Sequence, residues 1–245
     1  MRVLILSDIH ANLTALEAVL ADAQGAYDAV WCLGDTVGYG PEPDECIRRV
    51  RDLGAVTVVG NHDWATLGLM DVEEFNPEAR RAVVWTRTHL SQDSLAWLAA
   101  LPNQPLVVGQ YTLTHGSPRD PIWEYILHPS VALANMTAFD TPYCLVGHTH
   151  VPAVHVAVDG ESKVRVVPPP VGQQLAIKEE WRAIFNPGSV GQPRDNDRRA
   201  AYAILDTHAH TWEARRVEYM IEVTQNRMRQ AGLPERLINR LAFGW

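Results

Sequence analysis

The chain has 245 residues, 47% hydrophobic and 20% charged, a make-up that fits one globular domain and is too polar throughout for a membrane protein. Its formal charge of -8 and pI near 5.6 argue against the basic surface that binding to nucleic-acid polymers or anionic membranes requires. Three cysteines (Cys32, Cys46, Cys144), none in a Cys-x-x-Cys pair, predict a reduced, cytoplasmic chain, and the opening apolar run breaks at Ser7-Asp8, too early for a signal peptide.

Val3 to Leu6 reads as a strand buried on both faces, with Asp8-Ile9-His10 at its carboxyl end. Asn12 is the expected N-cap of a helix over 13 to 24, where Leu13, Leu16, Val19 and Leu20 recur at helical spacing. The unit repeats: a strand over Ala29 to Leu33 ends in Gly34-Asp35, and a helix opens near Pro43. A third run, Val56 to Val59, ends in Gly60-Asn61-His62-Asp63, read as a polar loop in which Asp63 either orients His62 or caps the next helix. Open α/β sheets gather ligands at the carboxyl ends of their strands, which is where these side chains fall.

From Asn76-Pro77 the pattern is helical, with a second helix from Ser91 to Leu101. Leu106 to Val108 and Tyr111 to Thr114 form a hairpin about Gly109-Gln110 and deliver His115. A loop over Arg119 to Tyr125 and a helix near 129 to 138 lead to the strand Tyr143 to Val146, which ends in Gly147-His148-Thr149-His150. A hairpin of Val154 to Val158 and Val164 to Val167 about Asp159-Gly160 follows, then strands over Ala183 to Phe185, Ala201 to Leu205 and Thr211 to Val217. Asn186-Pro187-Gly188-Ser189 is a supporting turn, and the tail from Glu218 is helical, broken at Gly232-Leu233-Pro234. A βα half followed by a hairpin half predicts two sheets packed face to face with helices outside, in one domain spanning 1 to 245. The apolar residues of the tail are expected to pack on the core, a homo-oligomer surface being the alternative.

The strand ends collect Asp8, His10, Asp35, Asn61, His62, His115, His148 and His150, a mixed oxygen and nitrogen set without cysteine. Such a set suits divalent manganese, iron or zinc better than calcium. It exceeds what one ion needs, so two ions sharing a carboxylate, about 3.5–4 Å apart, is the economical solution. Two carboxylates against two divalent ions leave excess positive charge that would attract an anionic phosphate, and the ions would lower the pKa of bound water enough to give hydroxide near neutrality.

The order Asp8-Ile9-His10, Gly34-Asp35, Gly60-Asn61-His62-Asp63, His115, Gly147-His148-Thr149-His150 resembles the motif run of the calcineurin-like metallophosphoesterases, of the compact bacterial and archaeal phosphodiesterase type. The resemblance implies a four-layer α/β sandwich of two packed mixed β-sheets flanked by helices. It implies that Asp8, His10 and His150 hold one metal, that Asp35 bridges, and that Asn61, His115 and His148 hold the second. His62 would donate a proton to the leaving oxygen or stabilise the transition state. Two divalent ions are the implied cofactors, with manganese expected to support activity in vitro. The implied function is hydrolysis of a phosphodiester or phosphomonoester of a small molecule. A dinucleoside polyphosphate hydrolase and a phosphoprotein phosphatase are the alternatives within the class, and a non-catalytic binding scaffold on the same fold the alternative outside it.

One departure bears on substrate. Phosphoprotein phosphatases and symmetrical dinucleoside tetraphosphatases of this superfamily carry an arginine shortly after Gly-Asp, where this chain has Thr36-Val37-Gly38-Tyr39-Gly40-Pro41. Arg119 or Arg194 would take over the grip on phosphate. Tyr39 and Trp123, like Trp64 and Tyr125, would stack on a flat substrate group or fold back on the core. His89, His128, His155, His208 and His210 fit no ligand pattern.

Overall fold

Strand β1 (Arg2–Leu6) sets the architecture, because its side chains from Val3 to Leu6 are all buried and face opposite layers in turn. Val3 and Ile5 point into a core shared with a second sheet, and Leu4 and Leu6 point outward under helices. The computed structural model describes residues 1–158 and 163–245, so the Asp159-Gly160 turn lies outside the described residues.

The first sheet contains β1, β2 (Ala29–Cys32), β3 (Val56–Thr57), β9 (Gln174–Ala176), β11 (Ala200–Asp206) and β12 (Thr211–Val217) in the order β3-β2-β1-β11-β12-β9. The second contains β4 (Leu106–Val108), β5 (Tyr111–Leu113), β6 (Tyr143–Leu145), β7 (Ala153–Val158), β8 (Val164–Val167) and β10 (Trp181–Asn186) in the order β4-β5-β6-β10-β7-β8. Both sheets are mixed. β1 runs parallel to β2 and antiparallel to β11, while β6 lies between β5 and β10, parallel to both. Between the sheets, Trp31, Leu205 and Trp212 meet Leu113, Leu145 and Phe185. Each such fully buried aliphatic or aromatic side chain contributes about 1.5–3 kcal/mol of transfer free energy.

Helices α1 (Leu13–Asp22) and α2 (Pro43–Asp52) cover the outside of the first sheet, through Leu16, Val19, Cys46 and Val50. Helix α6 (Pro129–Asn135) covers the second, with Ala132 and Met136 against Cys144 and Ile184. The result is the expected four-layer sandwich. Asn12 caps α1, its Oδ1 accepting from Ala15 N at 3.2 Å.

Three local expectations change. β3 ends at Thr57, since Val59 N donates to Pro102 O at 3.0 Å instead of continuing the ladder. Gly60-Asn61-His62-Asp63 is the start of a helix, α3 (Asn61–Leu67), and not a free loop. Its apolar content is too short for a periodicity signal, and what starts it is the Asp63 carboxylate accepting from Gly60 N at 3.0 Å. β9, after the prolines, adds an edge strand on β12 that the sequence does not announce.

Helices α4 (Pro77–His89) and α5 (Gln92–Ala99) follow. The tail forms α7 (Ile221–Gln230) and α8 (Glu235–Arg240), and Leu233, Leu237, Ile238 and Leu241 pack against Tyr39, Phe75 and Ala79. Among the described residues, no helix is long and apolar enough to cross a membrane.

Candidate metal centre and active site

The chain leaves β1 through Asp8 and His10, β2 through Asp35 and β6 through His148 and His150, and all five have φ between 50° and 64°. Left-handed backbone costs a side-chain-bearing residue about 1–3 kcal/mol, so its recurrence at five positions in three loops of one cluster marks a place where geometry is held against local preference. Close backbone approach completes the frame. A Cβ on Gly60 would lie 2.0 Å from Asp35 Oδ1, and one on Gly147 2.0 Å from Ser7 Oγ.

Four imidazoles each donate one ring N–H to a backbone carbonyl: His10 Nδ1 to Val37 at 3.2 Å, His115 Nδ1 to Leu33 at 2.8 Å, His150 Nδ1 to Gln192 at 2.5 Å, and His148 Nε2 to Trp123 at 3.1 Å. A carbonyl can only accept, so each contact fixes the tautomer and turns the other ring nitrogen inward as a lone pair. Those lone pairs face one another. His10 Nε2 lies 3.1 Å from His150 Nε2, and His115 Nε2 lies 3.2 Å from His148 Nδ1 and 3.0 Å from Asn61 Oδ1.

The carboxylates join this convergence of acceptors. Asp8 Oδ2 accepts from the Ser7 hydroxyl at 2.6 Å and from His148 N at 3.1 Å, whereas Oδ1 is buried without a hydrogen bond, 3.2 Å from His150 Nε2. Asp35 Oδ1 accepts from His62 N at 2.9 Å, and Oδ2, also without a hydrogen bond, stands 3.6 Å from His10 Nε2 and 3.4 Å from His115 Nε2. Inward lone pairs and orphaned carboxylate oxygens at such distances need cations between them. Three buried groups have ligand atoms mutually within 4.8 Å: Asp8, His10 and His150; Asp35, His115 and His148; and His10, Asp35 and His62. Oxygen and imidazole donors fit divalent transition ions.

The protonation pattern follows from the same crowding. Burial raises Asp8, but the adjacent His150 imidazole and the Ser7 hydroxyl outweigh it and hold the carboxyl down at about 2. Burial also opposes charge on His115, yet in the absence of cations Asp35 carries it up to about 9, so a cation bound here takes the place of the Nε2 proton. Burial and the neighbouring imidazoles drive His10 and His148 well below the ordinary range.

His62, in the first turn of α3, has a buried Nδ1 without a partner and a ring 4.2 Å from Tyr39, 4.9 Å from His10 and 5.0 Å from Phe75. Burial pushes its pKa down to about 4. Asp63 makes no hydrogen bond to His62. Besides Gly60 N, its carboxylate accepts from Thr36 N and Val37 N, so it pins the Asp35 loop to the helix start.

A cavity of about 860 Å³ opens beside Asn61 and His62, with Tyr39, Trp123, Tyr125 and Arg194 in its wall. Tyr125 stacks on His148 at 3.7 Å, and Arg194 Nη2 donates to Tyr39 Oη at 3.3 Å and Gln192 Oε1 at 2.9 Å. Arg119 is not brought there. It pairs with Glu124, which also accepts from Ser117 Oγ at 2.6 Å and Asn135 Nδ2 at 2.7 Å and thereby shapes the loop presenting the Trp123 carbonyl. Trp64 is absent from the lining.

The supporting residues gave weaker sequence signals. Ser7 was visible only as a neighbour of Asp8, and Gln192 acts on His150 through its main chain. The turn at Asn186 does hold the two-histidine loop, Asn186 Nδ2 donating to Gly147 O at 2.7 Å, while Ser189 Oγ donates to Asp8 O at 2.8 Å. His208 and His210 sit in a turn closed by Asp206, away from the cluster.

A profile of the calcineurin-like phosphoesterase superfamily domain matches residues 1–210. The chain belongs to that superfamily. It is therefore placed among metal-dependent phosphoester hydrolases, with buried aspartate and histidine groups able to bind metal. An uncharacterized protein of Methanocaldococcus jannaschii is 36% identical over 245 residues, 98% of this chain and 97% of the relative. The crystal structure of a metallophosphoesterase from Sphaerobacter thermophilus superposes with a TM-score of 0.90 at 51% identity, covering 100% of this chain and 99% of that one. A symmetrical bis(5'-nucleosyl)-tetraphosphatase of Thioalkalivibrio sulfidiphilus is 32% identical over 159 residues, 61% of this chain and 55% of the relative.

Proposed function

We propose that the protein is a dinuclear metal-dependent phosphoesterase that hydrolyses a phosphodiester or phosphomonoester of a small molecule. The observation that carries the reading is the set of inward lone pairs and orphaned carboxylate oxygens, with Asp35 Oδ2 near both His10 and His115. Asp8, His10 and His150 would hold one ion, Asn61, His115 and His148 the other, and Asp35 both. Bound there, two divalent ions supply an activated water and charge compensation for the phosphate oxygens. Manganese, iron and zinc all suit the donors.

The chain's own groups do the rest. The carbonyls of Val37, Leu33, Gln192 and Trp123 keep the imidazoles oriented, so little reorganisation accompanies the reaction. Arg194 holds a guanidinium at the cavity wall where the missing arginine after Asp35 would otherwise serve. His62, neutral before substrate arrives, offers an N–H; the negative charge of a bound phosphate raises its pKa and readies it to protonate the leaving oxygen. Tyr39 and Trp123 flank the path of a flat leaving group. Three free, buried cysteines accord with a cytoplasmic setting.

A dinucleoside polyphosphate hydrolase is the second reading, favoured by the partial match to a tetraphosphatase and by the aromatic cavity wall. Hydrolysis of bis-p-nitrophenyl phosphate and p-nitrophenyl phosphate, after chelation and after loading with each metal in turn, tests the proposal. Turnover restored by metal supports it, and no turnover with any of the three ions contradicts it.

A further inference from the structure

The turn that opens at Asn186 ends by delivering Arg194 to the cavity wall, and Gln192 stands between that arginine and the metal centre. Gln192 is 1% exposed. Its backbone N donates to Ser189 Oγ at 2.8 Å, its carbonyl accepts from His150 Nδ1, and its side-chain Oε1 accepts from Arg194 Nη2 at 2.9 Å. Arg194 N donates in turn to His150 O at 3.3 Å. One residue thus holds a proposed metal ligand through its main chain and a cation of the cavity wall through its side chain.

The carboxamide can serve Arg194 only one way round. With its oxygen and nitrogen exchanged, an NH2 group would face the guanidinium, donor against donor. Among the described residues, the groups that hold the Arg194 side chain are neutral: Gln192 Oε1, Tyr39 Oη at 3.3 Å, and the face of the Tyr39 ring, whose centroid is 5.8 Å from the guanidinium carbon. The carboxylates that follow it in the chain are used elsewhere, Asp195 with Arg216 and Asp197 with Arg199, and Glu78, on the same cavity, lies 3.8 Å from Arg236. Arg194 Nε stays buried without a partner. Neutral acceptors fix the direction of a guanidinium without cancelling its charge, whereas a carboxylate in the same place would do both.

We propose that Gln192 is a positioning residue for the phosphate grip: its neutral carboxamide aims Arg194 at the scissile phosphate and leaves the positive charge available to it. The inference rests on the phosphoesterase reading, in which Arg194 meets the phosphate, and adds that position 192 requires an amide. Gln192→Glu is the informative change, because it keeps the length and the main chain and alters only the charge facing Arg194. Gln192→Met keeps the length and the neutrality and removes the hydrogen bond.

Calorimetric titration of the manganese-loaded protein with inorganic phosphate tests it, with manganese content measured on the same samples. Gln192→Glu should weaken phosphate binding about tenfold or more, the scale of a lost charge-assisted contact, and Gln192→Met about threefold, the scale of one hydrogen bond. Both variants should keep the native manganese content, because the carbonyl that orients His150 belongs to the main chain. In an Arg194→Ala background neither change should weaken phosphate binding further, since residues that act as a unit are not additive. A merely structural role for Gln192 would cost the same in both backgrounds. Native phosphate affinity in both variants, losses undiminished in the Arg194→Ala background, or loss of manganese in both variants would each overturn the assignment. Failure of the phosphoesterase reading would show separately, as absent hydrolysis of bis-p-nitrophenyl phosphate by the native protein with these phosphate affinities still measurable.

Discussion

Asp35 is held by the residue it is proposed to work beside: its Oδ1 accepts the backbone N–H of His62 at 2.9 Å, at the start of α3. One oxygen is thus committed to the frame, and the other faces His10 and His115. Because the bond uses the main chain of His62, the imidazole can be removed without freeing Asp35.

For that reason His62→Ala should retain metal content near that of the native protein while slowing hydrolysis. The loss should be about 10²–10⁴-fold for alkyl esters with poor leaving groups and much smaller for p-nitrophenyl esters, as expected when a proton donor is deleted. Equal slowing of both substrate types would argue against a proton donor, and loss of metal would make His62 a ligand, as its proximity to His10 and Asp35 permits.

Gly60 is required by packing, not by its φ of -104°, which any residue adopts. An added Cβ would meet Asp35 Oδ1 at 2.0 Å and Asp35 N at 2.4 Å. Gly60→Ala should therefore weaken metal binding by at least about tenfold, the usual scale for disturbing a ligand's support. Native affinity in this variant, measured by competition with a chelating dye, would show that Asp35 can move without consequence.

Glu124 should make the loop that carries Trp123 sensitive to acid. Burial raises its carboxyl, but hydrogen bonds from Arg119, Asn135 and Ser117 prevail and hold it at about 2, below the ordinary 4.5. A depressed folded-state pKa gives stability that is complete above the unfolded pKa and is lost as pH falls from about 4.5 toward about 2. The difference in Tm between the native protein and Glu124→Gln should accordingly shrink across that range; a difference independent of pH would refute the assignment. Arg119→Ala removes only a solvent-screened surface ion pair and should leave Tm almost unchanged.

Much of this was legible in the sequence, for reasons that also show where legibility stops. Val3 to Leu6 announces itself because a strand buried on both faces must be apolar throughout. The ligand candidates were visible because strand ends are where a sheet presents polar side chains. Helix α3 was hidden, since its first turn is spent on Asn61 and His62 and its cap is an aspartate three residues after a glycine. The carbonyls of Val37, Leu33, Gln192 and Trp123, which set four tautomers, have no sequence signature at all, because every residue carries one.

Metal removal should be felt in stability as well as in rate. Each ion present at about 100 times its Kd adds roughly 2.7 kcal/mol, so two add about 5.4 kcal/mol, which for a chain of this size is about 11–22 °C in Tm. Chelation should lower Tm by that amount and manganese should restore it; an unchanged Tm would mean that the acceptor cluster holds no ion.

The most direct test of a dinuclear centre is elemental analysis of the manganese-saturated protein beside Asp35→Asn, with hydrolysis of bis-p-nitrophenyl phosphate measured on the same samples. The account predicts two ions per native chain, and in the variant at most one ion with loss of most of the rate. A single ion in the native protein, or two ions and a normal rate in Asp35→Asn, would contradict it.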